Sequence, residues 1–77
     1  MTEQDMEYIR ISARMGARLR AARERKHWSQ LQLAEMIQAS QTQIEHYERG
    51  EHDIAMARLF DLAKLLDLEL ADLFADL

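Results

Sequence analysis

Apolar residues recur at helical spacing along the chain, and the residues between the stripes are caps and stops. Met15, Leu19 and Ala22 form an i, i+4, i+7 stripe ringed by arginines, which predicts a first helix from near Met6 to about Lys26. Gly16 lies inside it, although glycine costs about 1 kcal/mol against alanine there, so another helix is expected to approach closely at that point. Ser29 is a good N-cap for a second helix over about Gln30–Ile37, with Leu33, Ala34 and Ile37 turned inward. Ser40 is placed to cap a third helix, with Gln43 in capping-box position three residues later. That helix stops at Gly50, which suits a left-handed residue. Leu59, Leu62, Ala63 and Leu66 predict a fourth helix over about Ala55–Leu66, and Asp67 tolerates the left-handed geometry often needed at such an end. Leu70, Leu73, Phe74 and Leu77 recur at i, i+3, i+4, i+7 on a short fifth helix, about Glu69–Asp76.

The second and third helices meet across Gln38–Ser40, the spacing of a helix-turn-helix. At about 3.6 residues per turn, Ile44, Tyr47 and Glu48 share one face of the third helix. Thr42, Glu45, His46 and Arg49 share the opposite face, with Gln41 and Gln43 at its margins. An apolar inner face with one carboxylate, backed by an outer face of amide, hydroxyl and imidazole, suits the reading of base edges. A polar outer face is also what any solvated helix presents, so the position of the helix in the fold has to decide.

Composition narrows the class. The 77 residues allow one small domain whose core leaves little stability to spare. Cysteine is absent, which removes disulfides and thiolate zinc sites. Proline is absent where average usage gives about four, and glycine occurs only twice, as expected of an all-α chain. The acidic N-terminus lacks the apolar run of a signal peptide, and no stretch approaches the roughly 20 apolar residues of a membrane span. No membrane partner is expected, and the location is expected to be cytoplasmic and nucleoid-associated.

The net charge of −4 argues against nucleic acid until its distribution is considered. Arg10–Lys26 holds seven of the ten basic residues and a single acid, Glu24, for +6, whereas Glu51–Leu77 is −5. Such asymmetry is a cue to an anionic partner.

The stretch MGARLRAARERKHWSQLQLAEMIQASQTQIEHYERG resembles the phage Cro/repressor-type helix-turn-helix family, also called the XRE family. The likeness runs from Met15-Gly16 through Arg23, Trp28-Ser29-Gln30, Leu33-Ala34 and Ile44 to Glu48-x-Gly50. LFDLAKLLDLELADLF then resembles that family's two closing helices, so roughly 60 of the 77 residues are covered. The resemblance implies a five-helix, repressor-like domain over residues 13–77. Residues 1–12 are then an N-terminal extension, open to continuing the first helix.

It further implies a sequence-specific regulator of transcription, most simply a repressor, that binds double-stranded DNA with its third helix in the major groove. Gln41 at the tip of that helix can bond bidentately to adenine N6/N7, and Thr42 can serve either kind of base or a thymine methyl. Gln43 and His46 reach the groove edge or a flanking phosphate, and Glu45 accepts from cytosine N4 or orients Gln41. Gln30 is where the family makes a phosphate contact, and Ser40 and Arg49 are expected beside it, with the first-helix arginines adding non-specific attraction. An ion pair between Arg23 and Glu48 is implied behind the reading surface, in accord with the inward position of Glu48.

Three departures from the family bear on function. Gln38 and His27 stand where glycine is common. The loop after Gly50 carries Glu51, His52 and Asp53 in place of basic or neutral residues. Two carboxylates near phosphates oppose binding unless the loop turns away or His52 is protonated. His46 and His52, six residues apart across a helix end, have no spacing that puts two imidazoles on one helical face, so no metal and no cofactor are expected. Short loops leave little room for a substrate pocket, so no enzyme is expected. Leu70 and Leu73 suit closing the domain core, whereas Phe74 and Leu77 would be wet in a monomer. The resemblance suggests a homodimer through this region (Leu70, Leu73, Phe74 and Leu77), setting two reading helices about 34 Å apart on an inverted-repeat operator. Met6, Tyr8 and Ile9 are candidates to join that contact. The alternative is a protein-interaction or antitoxin-like accessory subunit, with a different protein on that surface and weak DNA binding.

Overall fold

The computed structural model describes residues 1–77 as five helices: α1 (Glu3–Arg25), α2 (Gln30–Met36), α3 (Gln41–Arg49), α4 (Met56–Leu65) and α5 (Leu70–Phe74). All five expected helices form, and no strand does. The first begins earlier than its apolar stripe suggested, because Thr2 and Asp5 make a full capping box that nucleates it at Glu3. Residues 3–12 therefore continue α1. Ser29 and Gln32 make a second capping box at the start of α2. The box expected at Ser40 is only half made. Ser40 Oγ accepts from the Gln43 backbone N–H at 3.1 Å, but the Gln43 side chain donates to the Tyr47 hydroxyl at 2.8 Å instead of returning to the cap.

Four successive helices stop by the same device. A left-handed residue ends each: His27 at φ 59°, Gln38 at 56°, Gly50 at 73° and Asp67 at 54°. The next N–H then reaches back five residues to a carbonyl of the last turn: Trp28 to Arg23, Ala39 to Ala34, Glu51 to His46 and Leu68 to Ala63. This geometry satisfies orphan carbonyls and turns the chain sharply. Only one of the four positions is glycine. The other three accept the strain of a Cβ, about 1–2 kcal/mol each for a general side chain, so packing must hold them.

That packing is a core of Leu19 and Ala22 from α1, Leu33 and Ala34 from α2, Ile44 and Tyr47 from α3, and Leu59, Leu62, Ala63, Leu66 and Leu73 from the C-terminal part. Met15, Trp28, Ile37, Ile54, Leu68 and Leu70 close its edges. Gly16 lies where α1 crosses α3. An added Cβ would sit 2.4 Å from the Glu48 carbonyl oxygen and 2.5 Å from that of Tyr47. At Gly50 a Cβ would meet the Ala13 nitrogen at 2.5 Å. Both glycines are thus places where α1 touches the backbone at the end of α3. No helix is long and apolar enough to cross a membrane.

Candidate nucleic-acid interface

The site begins with the two faces of α3. Ile44, Tyr47 and Glu48 are buried, while Ser40, Gln41, Thr42 and Arg49 are exposed. Glu45 and His46 are half-buried on the outer side. The tip of the helix therefore presents an amide and a hydroxyl to solvent from a rigid base.

The base is an ionic cluster. Arg23 Nε donates to Glu48 at 2.6 Å and Nη2 at 3.1 Å, a two-pronged pair that ties α1 to α3. Arg23 Nη1 also donates to the Trp28 carbonyl at 2.8 Å, fixing the start of α2. Both side chains are at most 10% exposed. The hydrogen bonds to Glu48 hold the Arg23 guanidinium above its ordinary, already strongly basic range, and burial works in the opposite direction. The guanidinium stays charged in neutral solution.

Gln30 belongs to the same cluster. Its Nε2 donates to Glu48 Oε1 at 3.1 Å. A carboxylate that already pairs with arginine can only accept, so the amide must turn its NH2 group inward. One N–H is committed to Glu48, and the second remains for a neighbouring group. Gln43 is likewise constrained: it is half-buried and its NH2 group is engaged by Tyr47. Neither glutamine is the free side chain that sequence reading assumed. The i, i+4 spacing of Gln43 and Tyr47 was the available signal for the second contact.

The basic character of α1 is also less available than expected. Five of its seven basic residues from Arg10 to Lys26 have partners within the chain: Glu7, the α5 carbonyls, Glu24, Glu48 and Asp67. The exposed pairs with Glu7 and Glu24 are weak and leave their charge to solvent. Arg18 is different. Its Nη1 donates to the Asp72 and Leu73 carbonyls at 2.9 and 3.0 Å, capping α5 against α1. It serves the fold, and no sequence pattern indicated it.

The acidic loop after Gly50 folds back towards α3. Glu51 lies 3.8 Å from both His46 Nε2 and Arg49 Nη1, and the His46 and His52 rings stand 4.4 Å apart at a 35° tilt. Asp53 stays exposed. The C-terminal residues divide. Leu73, named for a subunit contact, is only 1% exposed and is a core residue of the single chain, with α5 packed against α1. Leu70 packs half-buried against that core, Leu77 is half-buried, and Phe74 is 45% exposed.

A helix-turn-helix with a solvent-facing second member is common to many proteins, so comparison with known sequences decides the family. The helix-turn-helix family model HTH_3 matches residues 19–73, all but the two ends of the chain. The chain belongs to the XRE-type helix-turn-helix family of DNA-binding regulators. It is 38% identical over its whole length to an uncharacterised transcriptional regulator in the ATPase CF(0) region of Rhodospirillum rubrum, of which it covers 72%. Over 86% of its length it is 33% identical to an uncharacterised HTH-type transcriptional regulator from Sinorhizobium fredii, of which it covers 46%. In helix-turn-helix proteins generally, the second helix of the motif enters the major groove and the first crosses the backbone.

Proposed function

We propose that the protein is a transcriptional repressor that binds an inverted-repeat operator as a homodimer and acts on the nucleoid in the cytoplasm. The observation that carries the reading is the division of α3, with Gln41 and Thr42 free at the tip and Glu48 locked to Arg23 behind them. Gln41 is assigned to an adenine edge, and Thr42 to an adjacent base or thymine methyl. Glu45 and His46 reach bases further along the groove. Gln43, turned by Tyr47, offers mainly its carbonyl oxygen, which fits a donor such as cytosine N4. Gln30, with its spare N–H, Ser40 and Arg49 are assigned to phosphates.

In this reading residues 13–77 are the DNA-binding domain, and residues 1–12 extend α1. Phe74 and Leu77, with the flank of Leu70, form the two-fold contact. Phe74 lies beside Tyr8, Ile11 and Met56 on an apolar groove of about 260 Å³, which makes the patch broader than α5 alone. That same groove supports a second reading, in which a different protein covers it and the chain serves as an accessory subunit. Selection from random duplexes separates the two. The first predicts enrichment of an inverted repeat with half-sites about one helical turn apart. Flat enrichment with a stable heteromeric complex supports the second.

A further inference from the structure

The outer face of α3 ends in a cluster of titratable side chains, and the base-reading roles of Glu45 and His46 leave Glu51, His52 and Asp53 without one. His46 and His52 are stacked, Glu51 lies 3.8 Å from His46 on one side and from Arg49 on the other, and Asp53 follows in the same loop. The loop is held there by the Gly50 stop and by α1 against it, not by the cluster itself. Glu45 shares this side of α3. His52 and Asp53 also line the adjoining groove together with Tyr8 and Ser12 of α1.

The charge balance is unfavourable to DNA as it stands. This end of α3 and its loop carry three carboxylates, Glu45, Glu51 and Asp53, against one guanidinium, that of Arg49. Both imidazoles are needed to cancel the excess. Glu51, 3.8 Å from both Arg49 and His46, also puts a negative charge beside the two groups that would attract an incoming phosphate. Histidine is the side chain whose charge changes between about pH 5 and 8. Each proton taken up by the pair makes the surface less repellent and gives Glu51 an imidazolium partner, releasing Arg49 to the backbone.

We propose that His52 is a proton-dependent phosphate contact, that the neighbouring His46 adds proton-dependent charge beside it from its place in the groove, and that Glu51 is an internal anion competing with DNA for Arg49 and His46. The proposal rests on α3 being the DNA-binding helix. Its consequence is a regulatory one: binding takes up protons, so affinity rises as pH falls. The sign is fixed by linkage, because a phosphate beside the pair favours the charged imidazole and the charged imidazole favours the phosphate equally.

The test is fluorescence anisotropy of the full chain with a labelled random-sequence duplex of about 30 base pairs, at low salt, near pH 6 and near pH 8. Wild type is expected to bind roughly fivefold tighter at the lower pH, as uptake of a fraction of one proton requires. H52Q and H46Q should each lose most of that response. E51Q should bind tighter than wild type near pH 8, with a smaller gain on acidification. NMR titration of the two imidazoles should show midpoints that move up when the duplex is added. An undiminished pH response in the H46Q/H52Q double variant, or imidazole midpoints that DNA does not move, overturns the proposal. Absence of binding at both pH values defeats the DNA-binding reading itself, whereas pH-independent binding defeats only this inference.

Discussion

Gly16→Ala tests how closely α1 carries α3. The new Cβ would lie 2.4 Å from the Glu48 carbonyl oxygen, 2.5 Å from the Tyr47 carbonyl oxygen and 2.7 Å from the Glu48 carbonyl carbon. Ordinary contact is about 3.5 Å, so one helix must retreat by roughly 1 Å. All three atoms belong to backbone, and no flexible side chain can yield. Overpacking of this kind costs about 1–3 kcal/mol, and the rigid neighbours place it near the top of that range. Alanine's better helix propensity returns about 1 kcal/mol. The net expectation is a loss of about 2 kcal/mol, or about 10 °C in Tm for a domain of this size. Thermal melts followed by circular dichroism measure it, with Ala17→Gly as the control on the exposed neighbouring position. The control should fall by about 1 kcal/mol from propensity alone. Opposite changes in propensity must therefore move stability in the same direction. A higher Tm for Gly16→Ala would refute the close crossing and the packing of α3 derived from it.

Four further predictions concern the helix contacts and helix stops. Glu48→Ala strands Arg23 and Gln30 and should cost about 3–5 kcal/mol in urea melts, while an Arg23→Met/Glu48→Leu double variant loses less than the single variant. Because Arg23 is held above its ordinary range, its share of stability is present below that range and is lost only in strongly alkaline solution. Melts should accordingly show no loss from this group between pH 7 and about 9. Gly50→Asn should be as damaging as Gly50→Ala, although asparagine tolerates left-handed backbone, because the Ala13 nitrogen blocks any Cβ at 2.5 Å; a mild Asn variant would mean that φ alone decides. Gln38→Gly should add about 1 kcal/mol by relieving the left-handed strain at φ 56°, and an unchanged Tm would show that the turn carries none.

The helices were legible because each stripe of apolar residues repeats at helical spacing, and the stops because Gly50 and Asp67 stand just past the last apolar positions. Glu48 could be placed inward from its spacing to Ile44, and the approach at Gly16 from the cost of glycine in a helix. The misses share one cause. Helix periodicity says which face a residue occupies, but not which of several neighbours its hydrogen bonds select. Gln43 could bond back to Ser40, out to DNA or down to Tyr47, and only the packed Tyr47 ring favours the last. Gln30 was similarly taken by Glu48, whose position depends on α1. Arg18 reaches residues more than 50 positions away, which no local pattern encodes. On the α5 stripe the sequence offered Leu73 to the core or to a subunit contact, and Phe74 to a partner. The path of the chain after Asp67 buries the first and leaves the second outside.

The central claim is that the free tip of α3 reads base edges. Binding-site selection with wild type and Gln41→Ala in parallel tests it most directly. Selection by the variant should lose its preference at one position in each half-site, with affinity for the best site down by about 1–3 kcal/mol and binding to random duplex nearly unchanged. Identical selected sequences for the two proteins would contradict it.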